Sequence, residues 1–385
     1  MRIADLVLER GPMTVAAFMD LALYDPAFGY YARAARRSGR AGDFFTSVDV
    51  GPLFGELLEI QIAEMLRLVE ARATHPGESR IPNPESRLDL VEAGAGNGRL
   101  AADILRAMRS RDRGLYERTR LHLVEASPEA RAAQRGTLDD LRDRLASSGA
   151  SLPDSFEGVL LANELLDAMP VHQVVMRHDG LREIYVTGAA GSATGDRRLS
   201  TVEGPLSTPR LIDYLEALDV RLQAGWRAEI NLNAIDWIRD AARRMRRGFI
   251  IIVDYGHEAG ELYSASHSAG TLTTFSGHRS RGAESSTVAW LQNPGCQDIT
   301  AHVDFSSVRA AAQEGGMQTI AFLDQTYFLM GLLSSLADPQ FAIRNPQLKT
   351  LILPGGLGST HKVLILGKGV GTPKLQSCSY RVRVT

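Results

Sequence analysis

The chain has 385 residues, 44% of them hydrophobic and 23% charged, with a formal net charge of −2. That length holds one large domain or two with ample core, and the near-balanced charge argues against bulk nucleic-acid binding or attraction to a membrane surface. Its two cysteines, Cys296 and Cys378, lie far apart without CxxC spacing. This excludes a disulfide framework and makes a reducing compartment the default.

No apolar run approaches the roughly 20 residues that a membrane span needs. The first residues, MRIADLVLERG, carry acids and have neither a signal-peptide core nor the composition of a transit peptide. The expectation is a cytoplasmic protein of bacterial type with no membrane span.

Residues 3–23 show two amphipathic helical stretches broken at Gly11-Pro12, the second capped by Thr14 and burying Val15, Phe18, Met19 and Leu23. An aromatic loop follows, YDPAFGYY over 24–31, then a basic run over 33–40 and the cluster GDFFTS over 42–47. Residues 54–69 read as a long helix. Residues 74–87 form a polar, proline-rich linker.

The stretch 88–125 organises the chain. Leu88 to Val91 reads as a buried strand, followed by the turn Gly94-Ala95-Gly96-Asn97-Gly98. Leu100, Ala101, Ile104, Leu105 and Met108 then recur at helical spacing, and a second apolar run, 121–124, ends on Glu125. Glycines let the backbone turn sharply and let a ligand rest on bare main chain. The helix start points free N–H groups over the turn. An acid closing the second strand can accept both hydroxyls of a ribose. The third glycine comes one residue too early for the dinucleotide pattern, and Arg99 occupies the position where that pattern has glycine. Glu92 would repel a pyrophosphate but attract an ammonium or a sulfonium. These residues therefore point to S-adenosylmethionine rather than a nicotinamide dinucleotide.

Downstream, Ser127-Pro128 starts a charged helix reaching to about Leu145. Residues 159–162 form a buried strand ending in NELLDAMP, and residues 171–187 form a hairpin turning at His178-Asp179-Gly180. Residues 188–208 read as a loop. Helical periodicity returns over 209–222 and 234–246. Residues 249–253, the most apolar strand, end in Asp254-Tyr255-Gly256-His257. A long polar segment, 258–297, precedes DITAHVDF and a helix through Ala312. A strand near 319–323, a helix near 326–336 and a strand at 363–366 close the pattern. Alternating helices and continuous apolar strands predict a mostly parallel sheet covered on both faces, with ligands beyond the carboxyl ends of its strands.

In order, YDPAFGYY, GDFFTS, FGE, VEAGAGNG, ANELLDAMPVH, IIIVDYGHE, TLTTFSGH, DITAHVDF and LDQTYFLMGLL resemble the MidA-type S-adenosylmethionine-dependent methyltransferases. That family includes the arginine methyltransferase of mitochondrial complex I assembly. The resemblance runs from about Tyr24 to Gly369. It implies a class I, Rossmann-like α/β methyltransferase fold with additions on the substrate side. Four consecutive regions are expected: an N-terminal helical cap over 1–85, the first part of the core with its hairpin over 86–187, an inserted loop and helices over 188–247, and the remainder of the core with a long loop over 248–385. The chain departs from the family pattern at the glycine turn, where Ala95 replaces a proline and Arg99 a threonine. It departs again at residues 48–52, where Asp49 stands for a glutamate and Gly51-Pro52 for Ser-Gln.

The expected cofactor residues are Glu92, Gly94, Gly96, Gly98, Glu125 and Asn163, with Thr46 and Ser47, beside Asp43, either closing over the methionine end or forming a simple turn. The expected catalytic residues are Asn163, Glu164, Asp167 and His257. A helical turn would set Glu164 and Asp167 on one side, where two carboxylates could fork a guanidinium. Turn capping by Asn163 and Asp167 is the structural alternative. His257 is a candidate proton acceptor, though a loop histidine is commonly a structural hydrogen bonder, as His172, His278 and His302 could be. Asp298, His302 and Asp304 have metal-like spacing, but a helix cap explains Asp304 equally well, and no metal is expected. The resemblance implies methylation of a protein arginine, with a respiratory complex I subunit as the partner. Methylation of a small molecule and a non-catalytic, cofactor-binding assembly factor are the alternatives. Oligomeric state stays open, a homodimer included.

Overall fold

The structure, a computed structural model, describes residues 3–33, 46–71, 87–188, 198–276, 279–281, 289–334, 345–353, 357–358 and 360–380, with backbone alone at 275–276 and 279–281. Asp43, His278, most of the basic run and of the 74–87 linker, and residues 189–197 lie outside the described residues.

In chain order the helices are α1 Ile3–Arg10, α2 Val15–Tyr24, α3 Leu53–Ala71, α4 Arg99–Arg111, α5 Arg113–Arg118, α6 Pro128–Leu138, α7 Arg210–Ala217, α8 Leu232–Arg244, α9 Ala259–Leu262, α10 Phe305–Glu314, α11 Gln325–Leu333 and α12 Pro346–Ile352. The strands are β1 Met13–Thr14, β2 Leu88–Ala93, β3 Thr119–Val124, β4 Leu145–Gly149, β5 Phe156–Asn163, β6 His172–Arg177, β7 Gly180–Gly188, β8 Leu199–Gly204, β9 Arg227–Ile230, β10 Met245–His257, β11 Thr273–Ser276, β12 Arg279–Arg281, β13 Asp298–Thr300, β14 Val303–Asp304, β15 Gln318–Asp324 and β16 His361–Lys368. None of the described helices is long and apolar enough to cross a membrane.

The chain forms two compact units, one of residues 1–45, 166–237 and 256–310, the other of residues 46–165, 238–255 and 311–385. The boundary falls within α8, β10 and α10. The units thus interleave along the chain and do not follow the four consecutive regions expected from the sequence.

The second unit carries a seven-stranded sheet in the order β15-β16-β10-β5-β2-β3-β4. The run from β10 to β4 is parallel, and β16 runs antiparallel to both its neighbours. Period-2 alternation puts Leu90, Val159, Leu161, Phe249, Ile251 and Ile365 into one core with Phe54 and Leu58 of α3, Ile104 of α4 and Phe328 of α11. Alternate residues Val91, Leu160, Ile250, Ile252 and Leu364 are buried as well. Burial on both faces is why these strands read as continuous apolar runs. After β2 the chain moves outward through β3 and β4, then returns to lay β5 against the other side of β2. This reversal places a ligand crevice beyond the ends of β2 and β5.

The first unit is antiparallel. Its main sheet runs β1-β7-β6-β9 with β8 on β7, and β12-β11-β13 form a small second sheet. Thr14 caps α2 through the Ala17 N–H, as its sequence position predicts. Phe18 and Met19 of α2 pack with Val175, Ile184, Val186 and Trp290.

Several local expectations are corrected. The helix from Pro128 ends at Leu138 and continues as a 3₁₀ stretch to Arg144. Part of the 188–208 loop is strand β8, paired with β7. Strands β4 and β9 were not legible, being short and interrupted by polar residues.

Candidate functional site

The site of the second unit is built on the reversal between β2 and β5. Gly94, Gly96 and Gly98 have φ values of +73°, +51° and +83°, in the left-handed region that glycine enters without a Cβ penalty. The N–H groups of Gly94 and Ala95 donate to the Val124 carbonyl at 2.9 and 3.1 Å, which fixes the turn to the end of β3. A Cβ at Gly94 or Gly98 would press on Leu165 or Leu123, whereas one at Gly96 would meet nothing within 4 Å. Open space therefore lies over Gly96, beside the N-terminus of α4.

The Glu125 carboxylate frames that space. It accepts the Gly96 N–H at 2.8 Å through Oε2 and the Ser127 N–H at 2.8 Å through Oε1. Gln134, fully buried, donates to the Gly96 carbonyl at 2.8 Å and is itself held by Ser148. A carboxylate keeps lone pairs beyond these two bonds, so Glu125 remains able to accept ribose hydroxyls.

Glu92 ends β2 in the interior. Burial pushes its carboxyl up to about 8, against the lowering pull of the Ala101 N–H that donates to Oε2 at 3.1 Å, while Glu125 and Asp103 raise it further. A cation brought near this buried acid would favour its ionised form.

Asn163 and Glu164 follow β5. The Asn163 Oδ1 atom is buried with no hydrogen-bond partner among the described residues. Glu164 has φ +49°, so the expected helical turn through Glu164 and Asp167 does not form. Residues 164–169 are bends and turns, and Asp167 belongs to the first unit. The Glu164 Oε1 atom accepts the Ser47 N–H at 3.2 Å and the Asn163 amide at 3.3 Å, and lies 3.6 Å from His361 Nε2, an ion-pair separation. The Oε2 atom takes none of these contacts. The Leu165 N–H donates to Asp254 at 3.1 Å, pinning the turn to the end of β10.

Sequence reasoning missed His361 and Gln325. His361 is fully buried, donates through Nδ1 to the Leu357 carbonyl at 2.8 Å, and stacks on Tyr255 with ring centroids 3.8 Å apart. Burial pulls its imidazole down, but Glu164, the Leu357 carbonyl and Asp254 together raise it above its ordinary value. Nothing in the sequence marked it, since it merely opens the apolar strand β16. Gln325 is the third residue of the LDQTYFLMGLL segment, and its side chain receives the Ser47 hydroxyl at 3.3 Å.

Thr46 and Ser47 start a 3₁₀ turn. Asp49 Oδ2 accepts the Thr46 N–H and hydroxyl at 3.1 and 3.0 Å, and its other oxygen forms an ion pair with Arg99. Two of the departures from the family pattern, Asp49 and Arg99, are therefore partners, joining the Thr46 turn to the start of α4.

In the first unit, Asp167 is buried. Tyr31 donates to Asp298 at 2.9 Å. Burial, then Asp298, Tyr24 and Asp167, hold the Tyr31 hydroxyl well above its ordinary value. Asp304 accepts the Ser306 and Ser307 N–H groups at 2.9 and 3.3 Å and so caps α10. The set Asp298, His302 and Asp304 is not assembled as metal ligands. His257 instead meets His267 and His302, with ring centroids 4.9 and 5.2 Å away.

Residues 58–323 match the family described as "Putative S-adenosyl-L-methionine-dependent methyltransferase". The protein arginine methyltransferase NDUFAF7, mitochondrial, of Danio rerio is 30% identical over 336 residues, covering 80% of this chain and 71% of that one. Its Homo sapiens counterpart is 30% identical over 354 residues, covering 85% and 71%. A solved Burkholderia thailandensis protein bound to S-adenosyl-homocysteine is 27% identical, covers 98% of this chain and 94% of its own, and superposes with a TM-score of 0.81. The expectation of a cytoplasmic protein does not stand, because these curated relatives are mitochondrial proteins by name. The glycine turn, the buried acid and the orphaned Asn163 oxygen fit the cofactor that the family uses, and the chain belongs to this family of S-adenosyl-L-methionine-dependent methyltransferases.

Proposed function

We propose that the chain methylates an arginine side chain of a protein, with Glu164 receiving the guanidinium. The reading rests on Glu164. One of its oxygens is engaged by Ser47 and Asn163 and faced by His361, and the other takes none of those contacts, at the end of β5 beside the cofactor crevice. Bound S-adenosylmethionine supplies an electrophilic methyl group on a sulfonium. The protein's share is placement, since transfer to nitrogen needs an in-line approach and a sink for one proton. A fixed carboxylate suits both tasks, because it accepts guanidinium N–H bonds with a defined geometry. The names of the relatives support arginine as the acceptor, and the family resemblance makes a subunit of respiratory complex I the first partner to try.

His361 and Ser47 are positioning residues in this reading, holding Glu164 in its strained backbone geometry. Glu164→Gln keeps the shape and removes the charge. Methyl transfer to a protein acceptor should fall by roughly 10²-fold or more, while S-adenosylmethionine affinity, read by calorimetry, stays within a few fold. Unchanged turnover in Glu164→Gln would overturn the guanidinium role. Methylation confined to small molecules would overturn the protein acceptor.

A further inference from the structure

We propose that His257, His267 and His302 form a binding site for one divalent transition-metal ion of the zinc class. One nitrogen from each ring lies within 4.8 Å of the other two. The three residues come from the end of β10, a 3₁₀ turn at Ala265–His267, and the link between β13 and β14. No sequence spacing announces the set, and it differs from the Asp298, His302 and Asp304 pattern that the sequence suggests.

The fold brings them together by a tight crossing. Gly256 pairs with Val303 and His257 with Asp304. A Cβ on Gly256 would sit 2.1 Å from the Val303 carbonyl oxygen, so only glycine lets β14 lie this close to β10. That contact sets His302 beside His257.

Glu261 lies against two of the three rings. His257 Nδ1 lies 3.0 Å from the Glu261 carboxylate, and His267 Nδ1 lies 3.1 Å from the Glu261 carbonyl. The carbonyl on His267 Nδ1 fixes that ring's proton and leaves its Nε2 lone pair, and a carboxylate beside His257 is the kind of neighbour that orients a metal-bound imidazole. His302 Nδ1 is buried without a hydrogen-bond partner among the described residues.

Three imidazoles with no carboxylate among them select zinc, copper, nickel or iron over magnesium or calcium. A tetrahedral zinc ion with bonds of ~2.0–2.1 Å requires nitrogens about 3.4 Å apart, which side-chain rotation reaches from the present spacing. Three protein ligands leave a fourth position for water. The ion would clip three chain segments of the first unit together, and His257 would serve as a ligand rather than as a proton acceptor.

The test uses the full chain, stripped with a chelator and titrated with Zn²⁺, with bound metal measured after gel filtration and Co²⁺ substitution read by visible absorption. One equivalent should bind, and the Co²⁺ form should show the intense bands of a tetrahedral site. His267→Ala and His302→Ala should each weaken Zn²⁺ binding at least about 100-fold, and Glu261→Ala about tenfold. His178→Ala, an exposed hairpin residue, should change nothing. S-adenosylmethionine titration of the same samples reports that each variant remains folded. No uptake by the folded wild-type chain, or equal uptake in both histidine variants, would overturn the site. Should a variant fail to fold, absence of tetrahedral Co²⁺ absorption in the wild type overturns it. Zinc binding and methyl transfer are read separately, so failure of one leaves the other standing.

Discussion

In the unit built on the parallel sheet, strands β2, β5, β10 and β16 are buried along nearly their whole length. In the antiparallel unit, β7 and β8 are largely half-exposed. The difference decides what each unit lets a sequence show. A parallel strand covered on both faces must be an unbroken apolar run, so its end is visible, and in such sheets the ligand sits at the strand ends. The antiparallel unit is assembled from three separated stretches of chain. Its chemistry-bearing groups meet only through tertiary contacts, as His257, His267 and His302 do.

The comparison breaks most sharply at Gly96. Its φ of +51° disfavours any β-branched residue, and the space above it is open. Gly96→Val should therefore abolish S-adenosylmethionine binding in calorimetry and leave Zn²⁺ uptake by the histidine cluster intact. Loss of both, in a folded sample, would mean that the two units do not carry separate sites.

Legibility follows the same physics. The glycine turn, Glu92, Glu125 and Asn163 stand out in the sequence because each lies at the end of a buried strand or in the turn after it. Glu164 is visible in the sequence as an acid just after a buried strand, but its conformation is not. Its positive φ, held by contacts to Ser47 and His361 that are distant in sequence, ends any helical turn toward Asp167. His361 carried no signal, because a buried histidine at the start of an apolar strand looks like a strand residue. The 3₁₀ turn bearing His267 sits in a polar stretch, SASHSAG, with no periodicity to mark it.

A smaller effect sharpens the electrostatics of the cofactor unit. Burial lifts the Glu92 carboxyl to about 8, so the cofactor-free protein holds it protonated at neutral pH. A cationic ligand favours the ionised form and expels that proton. S-adenosylmethionine affinity should therefore rise with pH, up to about tenfold per unit below pH ~8, then level off. Stability of the free protein moves the opposite way. The folded carboxyl binds its proton more tightly than the unfolded one, so stability falls as pH rises from about 4.5 to about 8, by up to ~1.4 kcal/mol per unit. Glu92→Gln should flatten both dependences. A profile that persists in this variant would assign the proton to another group.

The smallest expected effect concerns two of the residues in which this chain leaves its family's pattern. Arg99 and Asp49 each looked like an independent departure, one in the glycine turn and one in the segment after Ser47. In the structure they are one ion pair, with the Asp49 side chain fully buried and Arg99 about 40% exposed. Asp49 also holds both polar atoms of Thr46, so the pair fastens the turn whose Ser47 N–H reaches Glu164. Removing Arg99 leaves a buried carboxylate without its cation, which costs more than a surface pair would. A double-mutant cycle on Arg99→Ala and Asp49→Ala should give a coupling of about 1 kcal/mol or more in unfolding free energy. Arg99→Ala should also lower methyl transfer more than S-adenosylmethionine affinity, because the strain passes through Ser47 to Glu164 rather than to Gly96. Additive losses in the cycle would make the two departures unrelated. Equal losses in transfer and affinity would place the pair's effect on the cofactor turn instead.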